Sequence, residues 1–218
     1  MRLGVFGGTF NPIHFGHLRT AEEVLDKGRL EKIIYMPSGN PPLKTRELAD
    51  AAHRHAMTCM ATGTNPGFEV SDLEVKRRGK SYTVNTIRLL MEAHPGDELF
   101  FILGLDAFLD MPNWRSPEEL TSLLDFLVVD RPGYDINDIG KLPFLKSCQR
   151  GEVRTPPSDG CLSLHLKSGR TAAFVPVTRL DISSTMIRAL ALEGNSMKYL
   201  LPEKVEDYII KERLYREI

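Results

Sequence analysis

The chain has 218 residues, 42% of them hydrophobic, with 28 Lys and Arg against 29 Asp and Glu and a formal charge of -1. That is enough apolar material for a substantial core, and the balanced charge gives no global positive field to recommend nucleic acid as a partner. The longest apolar runs, such as Leu99 to Leu103, are too short to span a bilayer, the apolar stretch after Arg2 breaks at Gly7-Gly8 before it could form a signal peptide, and Cys59, Cys148 and Cys161 are scattered without a Cys-x-x-Cys pair, so the expectation is a cytoplasmic protein with no membrane partner.

Leu3 to Phe6 reads as a buried strand that turns through Gly7 and Gly8 into a helix beginning at about Gly16 and ending at Lys27, with Leu18, Ala21, Val24 and Leu25 on one stripe. Paired glycines let the backbone approach a ligand and expose its amides. His14 and His17 are three apart, share a face and sit at the positive end of the helix dipole. A metal pair is the competing reading, but no third ligand is evident nearby and no Glu follows His14 as a zincin helix would require. Anionic phosphate is the better fit.

Lys32 to Met36 predicts a second buried strand. No G-x-G-x-x-G follows strand one and no acid ends strand two at Met36-Pro37, which argues against a dehydrogenase. The proline-rich loop from Pro37 to Lys44 is stiff and could hold Lys44 over a pocket. A helix from Glu47 to Thr62, carrying Arg54, and a short strand from Phe68 to Val70 come next. Gly79-Lys80-Ser81 mimics the end of a P-loop, but Glu74 stands where its first glycine must be. Ser81 is the predicted cap of a helix reaching Ala93, which puts Tyr82 and Thr83 in a first turn whose amides could take a carboxylate; Thr83 could equally be a second cap.

Glu98 to Leu103 is the next strand, opening into Gly104 and Asp106. A carboxylate at that strand end suits ribose hydroxyls or helix capping. Trp114, the only tryptophan, could pack or could stack on a planar ring. Leu127 to Val129 leads to Asp130-Arg131. A helix around Ile136 to Cys148, interrupted at Pro143, and a strand near Leu162 to Leu166 carry no evident chemistry. After a last strand from Phe174 to Val177, Ser183 can cap a helix on which Ser184 and Arg188, four apart, could converge with Thr185 on a polyphosphate. A closing helix from Glu203 to about Arg213 is assigned packing only.

Strands alternating with helices predict an α/β fold with a Rossmann-like, doubly wound parallel sheet in the order 3-2-1-4-5. Ligands of such sheets bind where strands one and four diverge. The chain is read as one domain, with a core over about 1–180 and a small C-terminal helical extension over about 181–218.

Gly7 to His17 and Ile182-Ser183-Ser184-Thr185-Met186-Ile187-Arg188 together resemble the two signatures of the bacterial nicotinate mononucleotide adenylyltransferases, and the likeness covers nearly the whole chain. It implies transfer of AMP from ATP to nicotinate mononucleotide, with Mg²⁺ held mainly by phosphate oxygens. It implies catalytic roles for His14, His17, Lys44 and Arg188. ATP would be bound by Gly7, Gly8, Thr9, Phe10, Gly104, Asp106, Arg131, Ser183, Ser184 and Thr185. Tyr82 and Thr83 resemble the nicotinate-recognition segment, and Trp114 the aromatic residue that stacks on the pyridine. The family often has His at the position of Leu43 and Asp at that of Asn11. A related transferase using nicotinamide mononucleotide, phosphopantetheine or a CTP-linked substrate, and a nucleotide sensor without activity, are the alternatives; a homo-oligomer is left open.

Overall fold

The computed structural model describes residues 1–42, 48–130, 133, 139, 142–146 and 163–216. Its centre is a sheet of seven strands in the order β3-β2-β1-β4-β5-β7-β6. These strands are β1 (Arg2–Gly8), β2 (Lys32–Pro37), β3 (Phe68–Val70), β4 (Glu98–Gly104), β5 (Asp125–Val129), β6 (Ser163–His165) and β7 (Thr171–Val175). All neighbours run parallel except β6, which pairs antiparallel with β7. The expected 3-2-1-4-5 order stands, extended by a hairpin at one edge.

The central strands β1, β2, β4 and β5 carry buried runs without alternation because both sheet faces are covered. Val5, Phe101 and Leu103 point to one core, which is closed by α4 (Thr83–Ala93), α5 (Leu105–Asp110) and α6 (Pro117–Leu123). Phe6, Phe100 and Ile102 point to the other, which is closed by α1 (Phe15–Lys27), α2 (Ala51–Thr62), α7 (Ser184–Glu193) and α8 (Glu203–Lys211). Because β1 sends its helix to one face and β4 to the other, the carboxyl ends of these adjacent strands border a crevice. No helix among the described residues is long and apolar enough to cross a membrane.

Several boundaries differ from the sequence expectation, each for a tertiary reason. Residues 48–50 are not helical, and α2 starts at Ala51; the Ala49 N–H is taken by Asn11 Oδ1 and its carbonyl by Arg54. A short helix, α3 (Leu73–Lys76), occupies the edge of the basic cluster; its Glu74 is buried and accepts from Thr86 Oγ1 at 2.5 Å. The cap of α4 is Tyr82, not Ser81. Ser81 instead pairs with Asn40, its N–H donating to the Asn40 carbonyl and its Oγ accepting the Asn40 N–H. Residues 142–146 do not continue a helix: Leu145 bridges Leu166, as a proline at 143 favours. The last strand is shifted to Thr171–Val175, started by bonds from Thr171 to Asp125 and ended by Pro176.

Candidate functional site

Gly7 and Gly8 are the last residues of β1, and Gly104 is the last of β4. Beyond β1 the chain makes a tight loop in which Phe10 has φ 46°, a conformation bulky residues adopt only when surroundings enforce it. The enforcement is visible. The Phe10 side chain is buried, its ring lies over Gly8, and it packs against Phe6 and Tyr35. A Cβ at Gly8 would meet that ring at 2.8 Å, so glycine is required for the close approach. Only the backbone of Phe10 can face a ligand, while Thr9 is half-buried beside it.

His14 is the cap of α1 rather than part of its first turn, and it is nearly fully buried. Its carbonyl accepts the N–H groups of His17 and Leu18. The two imidazoles lie with ring centroids 3.8 Å apart, and Phe10 meets the His17 ring edge-on at 5.2 Å. Gly16 explains the spacing: a Cβ there would meet the His14 ring at 3.0 Å.

From the far end of the chain, Ser183 caps α7 by accepting the Met186 N–H at 3.1 Å. Ser184 Oγ donates to the Pro12 carbonyl at 2.9 Å, and Arg188 Nη1 donates to the Asn11 carbonyl at 3.0 Å. Thr185 Oγ1 accepts from Arg188 Nη2 at 3.5 Å. The two motifs therefore meet at one loop. Beside it opens a small cleft lined by His14, His17 and Thr20 and by Asp130, Thr178, Arg179 and Ile182. Arg188 is not on that lining; it seats the loop that precedes the histidines.

The family model described as cytidylyltransferase-like matches residues 5–190. The chain is 43% identical over 220 residues to a Syntrophotalea carbinolica protein named a probable nicotinate-nucleotide adenylyltransferase, covering 99% of this chain and 98% of the relative. A Geobacter metallireducens protein of the same name is 42% identical over 221 residues, with the same coverage. The chain belongs to the nicotinate-nucleotide adenylyltransferase family. Its fold is shared by a Plasmodium falciparum nicotinic acid mononucleotide adenylyltransferase complexed with NaAD, at TM-score 0.73 and 20% identity over 98% of this chain and 97% of that one.

The remaining family positions spread along the same sheet edge. Asp106 stands in the first turn of α5 with a buried Oδ1, and the capping position belongs to Gly104. Tyr82 and Thr83 form the head of α4, with the Arg115 guanidinium over the Tyr82 ring at 4.9 Å. Trp114 is half-buried, meets Phe101 edge-on at 6.4 Å and donates from Nε1 to Asp110 Oδ2 at 3.2 Å. Lys44 and Arg131 lie outside the described residues.

Two supporting residues escape a motif search. Arg54, 1% exposed, donates to the carbonyls of Ala49, Thr9 and Gly39, so one guanidinium joins the loops after β1 and β2. The only hint in the sequence is a charged residue on an otherwise apolar face. Glu23 accepts from Arg19, from Lys27 and from the Thr178 N–H, tying that part of the cleft lining to α1. Its flanking bases, each four residues away, were the available signal.

Burial pushes the Glu23 carboxyl up, but hydrogen bonds from Thr178, Lys27 and Arg19 outweigh it and bring the pKa down to about 2, from 4.5. A depressed carboxylate stabilises the fold above the higher value, and that stabilisation is lost as pH falls toward the lower one. Glu23→Gln is therefore expected to cost about 1–3 kcal/mol at pH 7 and to flatten the loss of stability between pH 4.5 and 2. Urea midpoints at pH 7 and pH 3 check this. A wild-type slope preserved in the variant would contradict it.

Proposed function

We propose that the chain transfers AMP from ATP to nicotinate mononucleotide, by in-line attack without a covalent intermediate. A mononucleotide phosphate oxygen attacks the α-phosphorus of ATP, the bond to the bridging oxygen breaks, and pyrophosphate leaves with that electron pair. A phosphomonoester has a second pKa of about 6, so the nucleophile is already an anion near pH 7 and needs no general base. Alignment and positive charge remain to be supplied.

The observation that carries this reading is the junction of the two motifs at Asn11-Pro12, through Ser184 Oγ and Arg188 Nη1. On it, His14, His17, Lys44 and Arg188 stabilise the charge that builds on the phosphates. Amides of Gly7, Gly8, Thr9 and Phe10, with the head of α7 at Ser183, Ser184 and Thr185, steady the triphosphate. Ser184 commits its hydroxyl proton to the Pro12 carbonyl and so shapes the helix head, while Ser183 Oγ accepts the Met186 N–H and keeps its own O–H to donate. Gly104, Asp106 and Arg131 receive the adenosine part, and Tyr82, Thr83 and Trp114 the pyridine nucleotide.

No group of three or more His, Cys, Asp or Glu that could hold a metal occurs among the described residues. Among the same residues the cleft lining offers His14, His17, Thr20, Thr178 and Arg179 beside the lone carboxylate of Asp130, which suits Mg²⁺ carried by the nucleotide's own oxygens, where it would neutralise phosphate charge.

Pyrophosphate release should be faster with nicotinate mononucleotide than with nicotinamide mononucleotide, the same assay run on both. No release with either, or a preference for the amide, would overturn the proposal. Trp114→Ala should raise KM for the mononucleotide about 10-fold, the scale of one lost base–aromatic stack, with ATP binding nearly intact. A selective loss of ATP affinity would contradict stacking on the pyridine.

A further inference from the structure

Asn11 is a meeting point for distant parts of the chain. Its Oδ1 accepts from the Ala49 N–H at 3.1 Å and from the Tyr215 hydroxyl at 2.9 Å, while its carbonyl accepts from Arg188. Tyr215 comes from the turn beyond α8, a segment for which the sequence suggests packing alone. That turn is held in an unfavourable conformation, with φ 53° at Arg213 and 64° at Tyr215. Bulky residues persist there only where the surroundings over-determine them. Leu214 and Tyr215 pack on the core beneath α1 and α2, and the Leu214 N–H donates to the Ile209 carbonyl.

Packing accounts for the ring of Tyr215 but not for its hydroxyl, which crosses from the chain terminus to the loop that leads into His14. Burial raises the phenol's pKa well above its ordinary value, against the opposing pull of Arg188 and Arg54, so the group remains a protonated donor at working pH. Asn11 offers it an acceptor whose other partner is already a donor. The geometry is one-directional: Tyr215 and Ala49 give, Asn11 receives.

We propose that Tyr215 is a positioning residue for adenylyl transfer, holding the Asn11 side chain so that the same residue's carbonyl seats Arg188. The inference rests on the reading under Proposed function. It makes the C-terminal turn part of the phosphate-handling machinery rather than a lid on the core.

Tyr215→Phe keeps the ring and removes only the donor. It should lower kcat by about 3- to 10-fold, the scale of one hydrogen bond, with KM for the mononucleotide unchanged. The melting midpoint should move by no more than about 2 °C. In an Asn11→Ala background the same change should have no further effect on kcat, because the partner through which it acts is gone. Should Asn11→Ala not fold, Asn11→Ser serves, its side chain being too short to reach the phenol. Turnover of Tyr215→Phe within about 1.5-fold of wild type, or an equal fold-loss in both backgrounds, would overturn the proposal. Wild-type turnover tests the functional reading separately, and the variant ratio is read on whichever acceptor the wild type uses.

Discussion

His17→Ala is expected to lower kcat by about 100- to 1000-fold, the scale of one lost transition-state donor. The His17 ring is held before any substrate arrives, between the His14 imidazole and the edges of Phe10 and Phe6. A preorganised donor helps most where charge develops, because nothing need reorganise during the reaction. Both rings line one cleft, and His14 is too deeply buried to swing into its neighbour's place. KM for either substrate should change by only a few-fold, since an interaction that strengthens in the transition state is lost mainly from kcat. Steady-state pyrophosphate release on purified wild type and variant checks this. Near-wild-type turnover would remove His17 from the reaction.

If the proposed role of Arg188 holds, Arg188→Ala should lower kcat/KM by about 100-fold or more, because a charge-assisted guanidinium contact to phosphate would be lost together with the anchor of the loop. Nη1 is committed to the Asn11 carbonyl and Nη2 reaches Thr185 Oγ1, so the guanidinium plane is fixed relative to the loop that leads into His14. Arg188→Lys keeps the charge but not the fork. It should recover only part of the loss, since an ammonium is a point charge without a second fixed N–H direction. Full activity in the lysine variant would show that charge alone matters there. Activity in the alanine variant within about threefold of wild type would detach Arg188 from the phosphates altogether.

Both variants probe a junction whose parts were readable separately. The strand, glycine pair and histidine pair at residues 3–17 announce themselves by hydrophobic run, turn chemistry and helical spacing, and the helix head at 183–188 does so by its cap. That they belong together was implied by the family likeness and not by any local pattern, and in the fold Ser184 and Arg188 bond to the carbonyls of Pro12 and Asn11. Element boundaries fared less well. The start of α2 and the cap of α4 are decided by Asn11 and Asn40, each remote in sequence from the residue it captures. Local propensity carries no information about such a capture.

The supporting shell was the least legible part. Arg54 looks like a surface charge until its three carbonyl partners are seen, and Tyr215 looks like a terminal aromatic until its hydroxyl is found on Asn11. By itself the sequence determined the alternation of strands and helices, and with it the α/β class, because periodicity, glycine placement and helix capping are local properties; the central strand order came from the rules for parallel sheets. Only the tertiary structure decided which side chains brace the loops that present those residues. Those bonds join positions tens to hundreds of residues apart, to backbone carbonyls and amides that every residue possesses and that no pattern of side chains can mark.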